Sequence, residues 1–377
     1  MLICCARLWR VSVSKSDPEI IQDDICENMN INKIQEGVFL NKKVLVRADF
    51  NVGIVDGKIQ ERFKLEACKK SVEHLLKQDG AKVALMSHLG RPDGKVTPEF
   101  SLGQISNELE KILGRKIVFI EDCIGEVVKS ALENLKEGEI LLLENVRFHG
   151  EEEKNESEFA KLLAENFDVF VNDAFSVCHR DQASVTGVTK FLPSYAGLWL
   201  QEELKNLNKV IHEPQLPATA IIGGAKIETK LPLIKKFEET YTYILVGGKV
   251  ANEAIDQNIQ FSSKVILPVD FAEDRLDIGP KTIAKFKEII SNSKVVVWNG
   301  PMGKFEQPPY DNGTRQILDI MADSDNFTLI GGGESVQVLE ERNMMNNISF
   351  VSTGGGAMLE YLSGNIMPGI EALRERK

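Results

Sequence analysis

The 377-residue sequence lacks several signatures that would have settled its chemistry at once. GxGxxG is absent after the first apolar run and everywhere else, which removes the fingerprint of a nicotinamide or flavin site. GxxxxGK[ST] is absent as well, excluding a P-loop; HExxH does not occur, and no DFG accompanies His179-Arg180-Asp181, so the kinase HRD and DFG set is incomplete. No apolar stretch approaches the run of about 18 residues that a membrane span needs. Positive charge is also short: 45 basic against 56 acidic residues leave a net charge of −11. No global field therefore favours nucleic acid or an anionic membrane, although a local basic cleft for a small anion remains compatible. The six cysteines (Cys4, Cys5, Cys26, Cys68, Cys123 and Cys178) form no CxxC pair. Their spacing suits neither a zinc site nor a disulfide framework and reads as free thiols of a reducing, cytoplasmic setting.

What remains is an ordinary globular composition, 43% hydrophobic and 27% charged, long enough for roughly two to three domains. Residues 1–30 stand apart. They carry no basic residue ahead of their apolar start, as a secretory signal would, and Asp17, Glu19, Asp23, Asp24 and Glu27 argue against a transit peptide. The expectation is a disordered extension, or a stretch upstream of a true initiator at Met29.

From Lys42 onward short β-branched runs alternate with amphipathic segments. KKVLVRADF, AKVALMSH, KIVFI, EILLLENV and DVFVNDAF read as strands buried on both faces. SLGQISNELEKILG reads as a helix capped by Ser101 and stopped by Gly114. A long helical stretch, GLWLQEELKNLNKVIHE, separates these from TAIIGG, YTYILVGG, KVILPVDF, KVVVWNG, FTLIGGG and ISFVST. The fold class that follows is α/β: two doubly wound, parallel-sheet lobes of Rossmann-like type joined by a helical hinge near Tyr195 to Lys209. Trp199, Phe191 and Tyr195 near that boundary read as core, and the acidic run from Gly150 to Glu158 as a solvated helix start.

In open α/β sheets, ligands bind beyond the carboxyl ends of the strands. In the first lobe those ends carry Asp49 and Asn51, His88 and Arg91, Arg147, and His179 with Arg180; Arg62 lies in the turn region after the first strand. So many arginines at one edge of an acidic protein suit a small anion bearing phosphate and carboxylate, which guanidinium grips bidentately. The second lobe shows glycine instead: GGAKIETK, GGKVANE, NGPMGKFE, GGGES and STGGGA. Glycine admits close backbone approach, and a following helix N-terminus attracts phosphate. Lys226 and Lys230, four residues apart, complete the pattern of a polyphosphate cradle.

Taken as an ordered set, VRADFN, SHLGRP, LLLENVRF, VNDAFSVCHR, GGAK, LPVDF, LDIGP, WNGPMGKFE, GGGES, STGGGA and MPGIEAL resemble the phosphoglycerate kinase family from Val46 to Leu373. The resemblance implies reversible phosphoryl transfer between 1,3-bisphosphoglycerate and ADP, with Mg2+, and small-molecule substrates rather than nucleic acid, a membrane or a partner chain; a monomer is expected. It implies a 3-phosphoglycerate site at Asp49, Asn51, Arg62, His88, Arg91, Arg147 and Arg180. It implies an ATP/ADP site at Gly223, Gly224, Lys226, Lys230, Asn299, Glu306, Gly331, Gly332, Gly333, Glu334 and Ser335, with Glu306 on the ribose and Glu334 where the family has a magnesium-binding aspartate. Arg62, Lys226 and Gly355 are the implied catalytic residues, Ser352 to Gly356 lying beside the transferring group. The expected division is a phosphoglycerate lobe over 31–195, a nucleotide lobe over 196–359 that begins with the connecting helix, and a tail, 360–377, packed back on the first lobe.

The sequence also departs from the family pattern. A helical insertion between GGKVANEAI and KVILPVDF is nearly absent, and only AEDR stands between LPVDF and LDIGP. Lys249 and Arg275 occupy positions where the family has glycine, so a trimmed, more basic adenine pocket is expected. Both an active kinase and a related binding protein with impaired turnover fit these features, and ATP against GTP preference stays open.

Overall fold

The computed structural model describes residues 30–374 apart from 213. The reading of the first residues, Asn30 aside, lies outside that range. β1 (Lys43–Arg47) leads into a hairpin, β2 (Ile54–Val55) and β3 (Lys58–Ile59). Then follow β4 (Lys82–Met86), β5 (Ile117–Phe119), β6 (Ile140–Leu142), β7 (Val169–Asn172) and β8 (Ser194–Ala196). Apart from the hairpin they form one sheet in the order β5-β6-β4-β1-β7-β8, every pair parallel. Crossovers place helices on both faces, which is why Val44, Leu45, Val46, Ala84, Leu85, Leu141 and Phe170 are all fully buried.

The helix Leu198–Ile211 carries the chain into a second sheet. Its strands are β9 (Ala218–Ile222), β10 (Tyr243–Val246), β11 (Val265–Ile266), β12 (Val295–Asn299), β13 (Phe327–Gly331) and β14 (Phe350–Ser352). They lie in the order β11-β10-β9-β12-β13-β14, again wholly parallel. That is the doubly wound order of dinucleotide-binding folds, here without their glycine fingerprint, and it switches direction between β9 and β12. All eleven strand runs read from the sequence are present. The hairpin and β8 are additions: both are short, and β8 is three residues, Ser-Tyr-Ala, with no β-branched run to announce it.

Helix ends follow their local chemistry. Ser101 accepts the Gly103 N–H at the start of the segment that becomes the helix Ser106–Leu113, and Gly114 closes it at φ 62°. The connecting helix is capped from the first sheet: Asp173, just past β7, accepts the N–H groups of Trp199 and Leu200 at 2.8 and 3.1 Å. The described end of the chain returns to the first lobe, where Asn32 N–H donates to the Leu373 carbonyl at 3.1 Å and Gly369 N–H to that of Cys178 at 2.8 Å. Phe191 departs from expectation, being 41% exposed at a chain reversal after β7. Trp199 and Tyr195 are partly buried against Phe350 and Phe39.

The acidic run at 150–158 is also not simply solvated. Glu152 is fully buried and accepts Ser184 N–H and Oγ–H at 2.8 and 2.5 Å. Ser184 Oγ in turn accepts Arg47 Nε–H at 3.0 Å, beneath the open end of the sheet. Arg47 is itself wholly buried; burial pulls its pKa down, and Glu152 and Asp49 oppose that. Replacing Glu152 with alanine removes the stronger of the two carboxylates that oppose a wholly buried guanidinium, so Glu152→Ala should cost about 3 kcal/mol, read as a fall in the urea midpoint.

Candidate functional site

The open end of the first sheet gathers cations at the point where strand order reverses, between β1 and β7. Arg147 follows β6 in a short helical turn whose start is held by Asn145, which accepts the Arg147 N–H at 3.0 Å. Its Nη1 donates to the Gly90 carbonyl at 2.8 Å and its Nε lies 3.3 Å from Glu153, while Nη2 is buried without a partner. Burial, then Arg180, bring its pKa down to about 10. Arg180 is depressed in turn, by burial and then by Arg91. Arg180 thus bears on Arg147 and Arg91 on Arg180, with a buried Arg147 donor left over, an arrangement suited to an anion.

His88 is buried, with Nδ1 3.1 Å from Arg47 Nη2. Burial, followed by the positive charges of Arg47, Arg147 and Arg180, holds it far below its ordinary range, so it is neutral at physiological pH. Asp49 is buried and accepts the Asn51 N–H at 3.1 Å, and Asn51 Oδ1 accepts Gly90 N–H at 2.9 Å. These contacts shape the SHLGRP turn around the cluster. Arg62 is the exception among the expected anion ligands. It opens the helix Arg62–Ala67, after the hairpin rather than directly after β1, and pairs with Glu108 at 2.9 Å and Glu66 at 3.6 Å. Such exposed pairs are worth about 1 kcal/mol or less and yield readily to a ligand.

In the second lobe the glycines sit at the β9/β12 switch point. A Cβ on Gly223 would lie 2.1 Å from the Pro301 carbonyl oxygen, so only glycine fits, and Gly224 runs at φ 100°. Lys230 is buried on the helix Ile227–Thr240 with Nζ bonded to Asn299 Oδ1, and Asn299 Nδ2 donates to the Gly331 carbonyl at 3.0 Å. Burial draws the Lys230 amine down to about 8, with Glu334 opposing. Gly332 and Gly333 lead into the helix Gly333–Glu341, where Ser335 Oγ accepts the Gly300 N–H at 3.2 Å. The Glu334 carboxyl is raised, by burial first and then by Glu306. Lys226 is exposed at the start of its helix, and nothing lies within 4 Å of a Cβ built on Gly355 or Gly356, which open the helix Gly355–Leu362.

A cleft of about 500 Å³ joins Gly224, Glu306 and Glu334 to residues the sequence did not single out, among them Asn252, Asp256, Leu276 and Phe305. Its two extra cations are both answered. Lys249 lies 3.6 Å from Glu253, and Arg275 pairs with Asp256 at 2.8 Å while donating to Asn252. The wall is therefore trimmed, but less basic than Lys249 and Arg275 alone imply. Arg275 holds φ 59°, the left-handed region that favours glycine, and its guanidinium bonds anchor it there.

The two sites are linked by the connecting helix. Glu203 is fully buried and accepts the backbone and hydroxyl hydrogens of Thr353, both at 2.7 Å, in the STGGGA turn. Trp199 donates to Thr353 Oγ1 at 3.1 Å and meets Phe63 edge-on across the lobes. Phe63 N–H donates to Glu340 on the second lobe at 3.0 Å. No motif announces Glu203; an acid inside an amphipathic helix is indistinguishable in sequence from a solvated one.

With this geometry in view, the comparisons with known proteins converge. The phosphoglycerate kinase family model matches residues 34–262 and 257–365. The chain belongs to the phosphoglycerate kinase family. It is 40% identical over 382 residues to phosphoglycerate kinase of Moorella thermoacetica, covering 89% of this chain and 97% of that protein. To the enzyme of Borreliella burgdorferi it is 38% identical over 393 residues, 92% of this chain and 100% of the relative. The crystal structure of phosphoglycerate kinase from Pyrococcus horikoshii superposes with a TM-score of 0.82 at 29% identity, covering 91% of this chain and 98% of the other. The structure of phosphoglycerate kinase from Coxiella burnetii gives 0.76 at 32%, with the same coverage. Among the described residues no helix is long and apolar enough to cross a membrane.

Burial raises the Glu203 carboxyl from 4.5 to about 7, against the hydrogen bonds from Thr353. Between those values the folded chain binds a proton that the unfolded chain has released, so stability falls as pH rises through the window. Glu203→Gln keeps the acceptor and removes the titration. It should flatten the decline in unfolding free energy between pH 5 and pH 8 by about 3 kcal/mol relative to the parent, measured by urea titration at each pH.

Proposed function

We propose that the chain is a catalytically active phosphoglycerate kinase, moving a phosphoryl group reversibly between the carboxyl oxygen of 3-phosphoglycerate and ADP. The observation that supports this most is the confrontation of Arg91, Arg147 and Arg180, with a buried Arg147 donor left unpaired, at the open edge of the first sheet. In this reading those arginines, with Asp49, Asn51, neutral His88 and a released Arg62, bind and orient the phosphoglycerate. Gly223, Gly224, Lys226, Lys230, Asn299, Glu306, the Gly331–Ser335 turn and the cleft beside it bind the nucleotide.

The attacking oxygen is an anion in either direction, carboxylate or diphosphate, so no general base is required. What the reaction needs is neutralised charge and in-line placement. Lys226 and Arg62 supply mobile positive charge, and the helix starting at Gly355 supplies free N–H groups. The oxygen donor of Glu334 fits Mg2+, a hard cation, which would neutralise the nucleotide phosphates there. The division proposed is a phosphoglycerate lobe over 31–195 with 360–374 folded back onto it (the last three residues of the expected tail lie outside the described residues), and a nucleotide lobe over 196–359, in a monomer. The lobes close around the connecting helix to exclude water.

Two variants test the assignment in an assay of ATP-dependent 3-phosphoglycerate phosphorylation coupled to NADH oxidation. Lys226→Ala should lower kcat about 100-fold or more with the KM for 3-phosphoglycerate within about twofold of the parent. Near-normal kcat would remove Lys226 from the role. Arg147→Ala should do the opposite, raising that KM about tenfold or more while nucleotide binding holds, because it deletes a charge-assisted anion contact worth about 1.5–3 kcal/mol.

A further inference from the structure

Away from the cleft, two loops at the β5/β6 edge of the first sheet bring together a carboxylate, a thiol and an imidazole. Asp122 and Cys123 follow β5, and His149 closes the turn after β6. One ligating atom from each lies within 4.8 Å of the others. His149 Nε2 is 2.8 Å from Asp122 Oδ1, which also accepts the Cys123 N–H at 2.7 Å. The imidazole is steadied by the Phe159 ring, 5.0 Å away between centroids. None of the three belongs to the machinery of phosphoryl transfer described above.

We propose that Asp122, Cys123 and His149 form a binding site for a borderline-soft divalent cation of the Zn2+ type, with water as the fourth ligand. The mixture of sulfur, nitrogen and oxygen donors is what Zn2+ accepts and what Mg2+ and Ca2+, which take oxygen, do not. The thiol is 1% exposed, whereas the Asp122 and His149 side chains are 42% and 27% exposed, giving an entry path from solvent to a buried sulfur. The local field has the right sign: after burial, the carboxylates of Asp122, Glu152 and Glu144 resist a bare thiolate at Cys123, and a dication removes that resistance. A tetrahedral site needs sulfur and nitrogen about 3.5 Å apart and nitrogen and oxygen about 3.3 Å apart, so the sulfur has to close from within 4.8 Å while the 2.8 Å Asp122–His149 hydrogen bond opens to admit the ion, both through side-chain rotation.

Binding breaks the Cys123 S–H bond, forms a sulfur–metal bond and releases that proton to solvent. His149 binds as neutral imidazole with its proton on Nδ1, so that the Nε2 lone pair faces the metal. One proton is released per cation, so affinity rises about tenfold per pH unit below the thiol's own titration. The cysteine spacing hid this site because its histidine stands 26 residues downstream and reaches the pair only across the sheet edge.

The experiment is a Co2+ titration of the full chain, freed of metal and kept reduced by a non-thiol reductant. The expected result is one equivalent bound with a near-ultraviolet sulfur-to-cobalt band and tetrahedral visible bands. Cys123→Ser should abolish the sulfur band, His149→Gln should weaken Co2+ at least about tenfold, and Zn2+ should displace it. Absence of the band, or its full persistence in Cys123→Ser, would overturn the proposal, the latter assigning the signal to another thiol. If Cys123→Ser does not fold, Asp122→Asn and His149→Gln decide: unchanged Co2+ affinity in both overturns it.

Discussion

Like charges gathered at one sheet edge are the constraint on which this molecule is organised. At the open edge of the first sheet burial and then Arg180 depress Arg147, while burial and then Arg91 depress Arg180. A fold does not gather guanidiniums spontaneously; each must be fixed by bonds that leave its charge unsatisfied. Here Gly90, Glu153 and Asn145 hold Arg147, and Arg47 lies beneath on the Ser184–Glu152 pair. Burial of that layer keeps the cationic edge rigid, and His88, bonded to Arg47, is kept neutral by the same field.

The second lobe, proposed to bind the nucleotide, is built for an anion by opposite means. Its strand ends carry backbone rather than guanidinium, with glycines admitted where any Cβ would strike the facing carbonyls. One buried lysine, Lys230, is positioned by Asn299 rather than by an acid, which leaves its charge available while Glu334 sustains it. A nucleotide brings its own charges and flexible phosphates, so N–H groups at helix starts serve it better than a fixed arginine cage.

Between the lobes runs a chain of direct contacts. Asp173 at the end of β7 caps the connecting helix, Trp199 and Glu203 on that helix hold Thr353, and Thr353 adjoins the Gly355 helix start. A change at either sheet edge therefore has a short, bonded route to the turn proposed to face the transferring group. The first lobe's own far edge carries the Asp122, Cys123 and His149 cluster, two residues from Arg147 along the chain, so an ion there would stiffen the loop that presents that guanidinium.

By itself the sequence determined the alternation of β and α elements, the two sheets, the place of the connecting helix and most residues at the strand ends. It could do so because strands buried on both faces leave continuous apolar runs, and parallel order forces ligand groups to the residues just after them. The short strand β8 and the hairpin β2–β3 escaped because their residues carry no run of that kind. Only the tertiary structure decided which charges are buried. Glu152 and Glu203 sit in segments as polar as any solvated helix, and Arg62 and Arg275 look equally available in sequence until Glu108 and Asp256 are found opposite them. Burial and pairing depend on what distant elements bring, and no local pattern records that.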